Sequence, residues 1–154
     1  MTELAAKVIA ALKDKTLATA ESCTGGGIGS ALTAVAGSSA VYKGGIISYT
    51  NEIKHNLLSV SEDLLSRKGA VCPEVAEAMA FGGRKALATD ICVSVTGLAG
   101  PGGDEFGNPV GTVFIGYCDD FTCISREFHF CGDRDSVRTQ STVAALSLIL
   151  EHNR

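Results

Sequence analysis

A three-layer α/β/α sandwich on a mixed, mostly parallel sheet of about five strands is the fold this sequence predicts. Segments with helical apolar spacing alternate with β-branched runs short enough to be strands, the pattern of an α/β domain. The last two strand-like runs are joined by a turn too short to hold a helix, so they pair antiparallel and make the sheet mixed. At 154 residues the chain fits one domain, and a single unit over 1–154 is expected.

Thr2 to Lys15 carries Leu4, Val8, Ile9, Ala11 and Leu12 on one helical face, with Thr2 as cap. Thr16 to Ala20 reads as a short buried strand, and Ile28 to Val35 as a small-residue helix. Val41 to Tyr49 is a β-branched and aromatic run whose Gly44-Gly45 pair marks a close approach by a neighbouring group. Asn51 stands as the N-cap of a helix from Glu52 to Leu58, and Ser61 opens another. Pro73 suits the first turn of a longer helix reaching Leu87. Asp90 to Val95 is an apolar strand leading into a glycine-rich loop at residues 96–103. Val110 to Tyr117 and Cys123 to Phe130 form the hairpin around Asp119-Asp120, and Asp133 starts a closing helix.

Composition excludes several classes. Every apolar run is broken well before the roughly 18 residues a membrane span needs. The N-terminus lacks a basic start followed by an apolar block, so a cytoplasmic location is expected. The net charge of -4 argues against a nucleic-acid groove and toward a small ligand. The six cysteines include no C-x-x-C pair, so no metal site is expected, and most lie where a reduced thiol acts as a small hydrophobe. Small-residue stretches at Ala31 to Ala36 and Ala76 to Ala80 are compatible with a homo-oligomer.

The stretch Glu21-Ser22-Cys23-Thr24-Gly25-Gly26-Gly27 sets a hydroxyl between a strand and a glycine-rich helix entry. Activated serines and phosphate sites are built at such places. The Rossmann pattern fails on its third glycine, neither glycine cluster supplies the Gly-Lys followed by Ser or Thr of a Walker A loop, and the G-x-S-x-G elbow is missing. The histidines, His55, His129 and His152, are scattered and offer no triad. Lys54, on the first turn after the Tyr49 strand, is the candidate base: a desolvated lysine loses its preference for the charge and can accept a serine proton. Tyr49 is a candidate relay for that proton or a brace for the lysine. Each residue also has a plainer reading: Ser22 or Thr24 as a helix cap, Lys54 as a solvated lysine, Tyr49 as strand-end packing.

Five separated blocks tilt these alternatives. Glu21 to Gly26, Gly37 to Ser39, Gly44 to Lys54, Val95 to Gly103 with Pro109 to Val113, and Gly132 to Arg134 together resemble the CinA C-terminal domain family, the nicotinamide-nucleotide amidases. The resemblance runs from about Leu4 to Leu150. It implies hydrolysis of nicotinamide mononucleotide to nicotinic acid mononucleotide and ammonia, in pyridine nucleotide salvage, with no cofactor and no metal. It matches Ser22 to the nucleophile, Lys54 to the general base, Tyr49 to an assisting hydroxyl, and Thr96 and Arg134 to substrate handling.

The chemistry then calls for N–H donors to a developing oxyanion, expected around Thr24, Gly25 and Gly26. Phosphate donors are expected from Gly100, Gly102, Gly103 and Arg134. For Arg134 the plainer reading is an ion pair with Asp133 or Asp135, and for Thr96 a bond to local backbone. Cys72 and Cys131 depart from the family pattern, which commonly has Ser and Pro there, and the segment Asp104 to Asn108 is variable in the family. Some members of that family lack amidase activity. Two other functions therefore stand beside the Ser-Lys amidase: a silent nucleotide-binding or regulatory module, and a cysteine amidase using Cys23.

Overall fold

The computed structural model describes residues 1–154. Its elements run α1 (Thr2–Ala11), β1 (Leu17–Glu21), α2 (Gly27–Thr33), β2 (Tyr42–Ile47), α3 (Asn51–Leu58), α4 (Glu62–Lys68), α5 (Pro73–Leu87), β3 (Ile91–Gly97), β4 (Thr112–Cys118), β5 (Cys123–His129) and α6 (Arg134–His152). A 3-10 turn over Ser38–Ala40 precedes β2. No helix is long and apolar enough to cross a membrane.

The strands form one sheet in the order β2-β1-β3-β4-β5. β2, β1 and β3 are parallel, whereas β4 and β5 return antiparallel. This is the expected mixed sheet, with β3 at its centre, β1 between β2 and β3, and the hairpin on one side. The Asp119 carboxylate closes that hairpin by accepting from the Phe121 and Thr122 N–H groups.

Strand alternation sorts the interior into two layers. Leu17, Val93, Val95, Val113, Ile115 and Tyr117 face α1, α2 and α6 in the larger core cluster. Ala18, Ala20 and Cys92 face the opposite way, toward Leu58, Leu65, Val75 and Met79 of α3, α4 and α5. Each large aliphatic side chain fully removed from water contributes roughly 2 kcal/mol to the fold.

Two glycines let α5 come close to its neighbours. A Cβ at Gly82 would run into the backbone carbonyl of Leu58, the last residue of α3. A Cβ at Gly116 on β4 would meet the Ala76 carbonyl in the same way. Close backbone approach thus seats α3 against α5, and α3 carries Lys54.

Some boundaries differ from the sequence reading. α1 stops at Ala11 because residues 12–15 turn the chain into β1. The second strand ends at Ile47, which leaves Ser48 and Tyr49 past the sheet edge. Thr50, not Asn51, caps α3: its hydroxyl accepts from the Ile53 N–H. Gly45 does sit under a close neighbour, since a Cβ there would strike the side chains of Thr19 and Tyr42.

Candidate active site

The carboxyl end of β1 opens into a cleft between β2 and β3. Ser22 directly follows that strand; its N–H donates to the Val95 carbonyl on β3, while Ser48 N–H donates to the Glu21 carbonyl from the β2 side. The serine is held from both flanks before its side chain makes any contact. A cavity of about 880 Å³ lies above it, lined among others by Ser22, Tyr49, Lys54, Thr96, Gly100 and Arg134. Ligand sites commonly have this size.

Lys54 reaches Ser22 from α3. Its Nζ donates to Ser22 Oγ at 2.9 Å and to the Ser48 carbonyl at 2.7 Å. The side chain is 1% exposed, so the solvated alternative is excluded. Both partners are neutral, and no carboxylate balances the charge. Burial therefore dominates and brings the lysine pKa down to about 8. A neutral amine at this position keeps an N–H for the Ser48 carbonyl and turns its lone pair to the serine hydroxyl.

Neither Ser22 nor Thr24 caps α2. Gly26 holds the cap position in the left-handed region, at φ 98°, without a side-chain bond of its own. The cap is the buried carboxylate of Glu21: Oε2 accepts from Gly26 and Ile28 N–H at 3.1 Å each, and Oε1 from Gly29 N–H at 2.9 Å. Thr24 Oγ1 also donates to it, at 2.6 Å. On the other side, Arg138 Nε donates to the Cys23 carbonyl at 3.1 Å and Nη2 to the Thr24 carbonyl at 3.3 Å.

These bonds decide which donors remain. Gly25 N–H is spent on the Ser22 carbonyl and Gly26 N–H on Glu21, so neither glycine is free to hold an oxyanion. Cys23 and Thr24 N–H have no acceptor, although both residues are buried. Cys23 lines the cavity beside the serine, whereas the Thr24 side borders a second cavity next to Arg138. Buried backbone donors are rarely left without a partner, so this adjacent pair, starting at Cys23, is the candidate place for a ligand oxygen.

Tyr49 is placed otherwise than as a brace for the lysine. Its hydroxyl accepts from Arg134 Nη2 at 2.9 Å and bonds neither Lys54 nor Ser22. Arg134 Nη1 donates to the Gly100 carbonyl at 2.7 Å, so one guanidinium joins three distant segments at the cleft mouth. It pairs with no acid; Asp135 approaches Arg138 instead, and Asp133 caps α6. Thr96 Oγ1 donates to the Ala70 carbonyl at 2.8 Å, a long-range contact between β3 and the α4–α5 connection. Gly102 lines the cavity beside Gly100, whereas Gly103 does not.

Cys23 is buried next to the serine, and burial pushes its thiol up to about 11. Such a thiol holds little thiolate at neutral pH and is a poor nucleophile. All six cysteines are free. No group of three or more His, Cys, Asp or Glu side chains is arranged to hold a metal ion. His55 lines the cavity but bonds the Val60 carbonyl through Nδ1, and His129 pairs with Glu127 outside it.

Glu21, Ser48 and Arg138 were not singled out by the sequence reading. Glu21 stands inside the most informative motif, and the absence of a Ser or Thr exactly one residue before the helix was its available signal. Ser48 acts through its main chain, which no residue type announces.

The family model described as CinA C-terminal domain matches residues 1–152. A CinA-like protein of Thermosynechococcus vestitus is 51% identical over 140 residues, covering 89% of this chain and 34% of that protein. A CinA-like protein of Geobacter sp. strain M21 is 49% identical over 132 residues, covering 86% and 32%. The chain thus spans about a third of the length of the curated relatives it matches. Among solved structures, the competence damage-inducible protein A (ComA) of Klebsiella pneumoniae superposes with a TM-score of 0.95 at 35% identity, covering 97% of this chain and 94% of that one. The competence/damage inducible protein CihA of Agrobacterium tumefaciens gives 0.95 at 36% identity, covering 99% and 95%.

Proposed function

The chain belongs to the CinA C-terminal domain family, and we propose that it is a Ser-Lys amidohydrolase converting nicotinamide mononucleotide to nicotinic acid mononucleotide and ammonia. The observation that carries this reading is the 2.9 Å contact between Lys54 Nζ and Ser22 Oγ, buried and without a counter-ion.

Ser22 Oγ attacks the carboxamide carbon while its proton passes to neutral Lys54. The carbonyl oxygen becomes an oxyanion held by the Cys23 and Thr24 N–H groups. Collapse breaks the C–N bond, and Lys54 returns the proton to the departing nitrogen, which leaves as ammonia. Water then attacks the acyl-Ser22 ester with Lys54 again taking a proton, and the serine leaves as the hydroxyl. Arg134, free of any acid, supplies a guanidinium for the phosphate, with Tyr49 and the Gly100 carbonyl holding it in place. Thr96 and Gly102 complete the wall on the loop side.

The domain spans residues 1–154 in this proposal and acts in the cytoplasm as a homo-oligomer, in pyridine nucleotide salvage. Ammonia release from nicotinamide mononucleotide tests it. Turnover is expected in the wild type and lost in Ser22→Ala and Lys54→Met. Binding without turnover would establish the silent nucleotide-binding module instead. Turnover that survives Ser22→Ala but not thiol alkylation would establish Cys23 as the nucleophile.

A further inference from the structure

We infer that Glu21 is a positioning residue that takes over helix capping so that the Ser22 hydroxyl and the Cys23 and Thr24 N–H groups stay free for a reacting carbonyl. The inference rests on the amidohydrolase reading of the same site and deepens it.

A serine or threonine at a helix start ordinarily spends its oxygen on the first free N–H groups. Here the need is met from the residue before the nucleophile. The Glu21 carboxylate, 1% exposed, accepts four bonds, from Thr24 Oγ1 and from the N–H groups of Gly26, Ile28 and Gly29. Four is about the full acceptor capacity of a carboxylate. No cation pairs with it; the N–H dipoles of the α2 entry offset its charge.

The bonding around the turn then leaves two donors over. Arg138 takes the Cys23 and Thr24 carbonyls, the second shared with the Gly27 N–H, the Gly25 N–H takes the Ser22 carbonyl, and Glu21 takes the N–H groups of Gly26, Ile28 and Gly29. What remains is the Ser22 hydroxyl, facing Lys54, and the adjacent Cys23 and Thr24 N–H pair. Without the Glu21 acceptor, the hydroxyls of Ser22 and Thr24 are the nearest replacements for the cap: the first would leave the site outright, and the second would turn the residue whose N–H the site uses.

Glu21→Gln tests this, because the amide keeps the shape but opposes a donor to a donor. Four quantities are compared with the wild type: kcat, KM, the midpoint of the pH profile, and the rate at which a fluorophosphonate probe labels Ser22. Both kcat and labelling are expected to fall about 100-fold, the size of losing one oxyanion donor. KM is expected within about threefold of wild type and the pH midpoint unchanged, a split that general loosening of the fold would not give. Equal labelling and equal kcat in a folded variant overturn the inference. If Glu21→Gln does not fold, Thr24→Val decides. It removes one of the four bonds and should slow labelling about tenfold, and labelling within about twofold of wild type overturns the inference. A wild type that hydrolyses no amide yet labels faster than the variant sinks the amidase reading and leaves the positioning role standing. A wild type whose Ser22 is never labelled sinks both.

Discussion

Glu21 and Lys54 are the two buried charged side chains of the domain, and they form no ion pair with each other or with any other residue. Glu21 is surrounded by donors and Lys54 by neutral acceptors. A salt bridge between them would hold the lysine charged and useless as a base. Keeping them apart leaves burial as the dominant influence on Lys54.

The pH dependence of turnover follows. Lys54 has a pKa near 8, and only its neutral form accepts the serine proton. Activity on nicotinamide mononucleotide is expected to rise about tenfold per pH unit below that value and to level off above it. A pH–rate profile of kcat/KM checks this, and a flat profile between pH 6 and about 8 would remove Lys54 as the base.

Stability should move with pH in the same window. Between the folded pKa of about 8 and the ordinary lysine value of 10.5, the unfolded chain holds a proton that the folded chain has lost. Folding stability therefore rises as pH climbs through that interval. Below it, the cost of the buried ammonium is present in full, about 3 kcal/mol. Lys54→Met is accordingly expected to be inactive yet more stable than wild type at pH 7, by about 1–3 kcal/mol, with the difference shrinking toward pH 10. Urea unfolding at several pH values measures it.

Arg134 should govern affinity rather than chemistry. Arg134→Ala removes the unpaired guanidinium at the cleft mouth, and KM for the mononucleotide is expected to rise at least tenfold with kcat changing less. Tyr49→Phe deletes one of the two bonds that hold Arg134, so a smaller KM effect of the same kind is expected. Hydrolysis of free nicotinamide, which carries no phosphate, should respond to neither. A large kcat loss in Tyr49→Phe with KM unchanged would return the hydroxyl to the proton path.

Gly82→Ala tests how α3 is seated. The added methyl meets the Leu58 carbonyl, which cannot fold aside as a flexible side chain can. A loss of about 1–3 kcal/mol is expected, together with reduced turnover, because the helix that must give way carries Lys54. Thermal unfolding and an activity assay report the two effects, and an unchanged melting temperature would show that α5 yields instead.

Much of this was legible in residue order. The alternation of apolar periods gave the layers, and the Asp119-Asp120 turn gave the antiparallel hairpin. Ser22 and Lys54 stood out because a strand-to-helix turn and a first-turn lysine are local patterns. Glu21 did not, because a carboxylate at the end of an apolar strand resembles no capping motif until α2 folds back over it. Arg138 lies one helical turn beyond Arg134 and reads as the polar face of α6; its contact with the Ser22 turn spans 115 residues. The free N–H groups of Cys23 and Thr24 are invisible in any side-chain pattern, since they are defined by what every neighbouring backbone group has already bonded.

The two-sided anchoring of β1 sets a sharp boundary in amide hydrogen exchange. Ser22 N–H is locked to Val95, while the next two amides along the chain have no acceptor. Ser22 should exchange only when the central sheet opens, and Cys23 and Thr24 through much smaller local openings. A bound carbonyl analogue should slow those two amides and leave Ser22 as it was. Within a single peptide unit, the chain passes from its most durable framework to backbone held in reserve for a visitor.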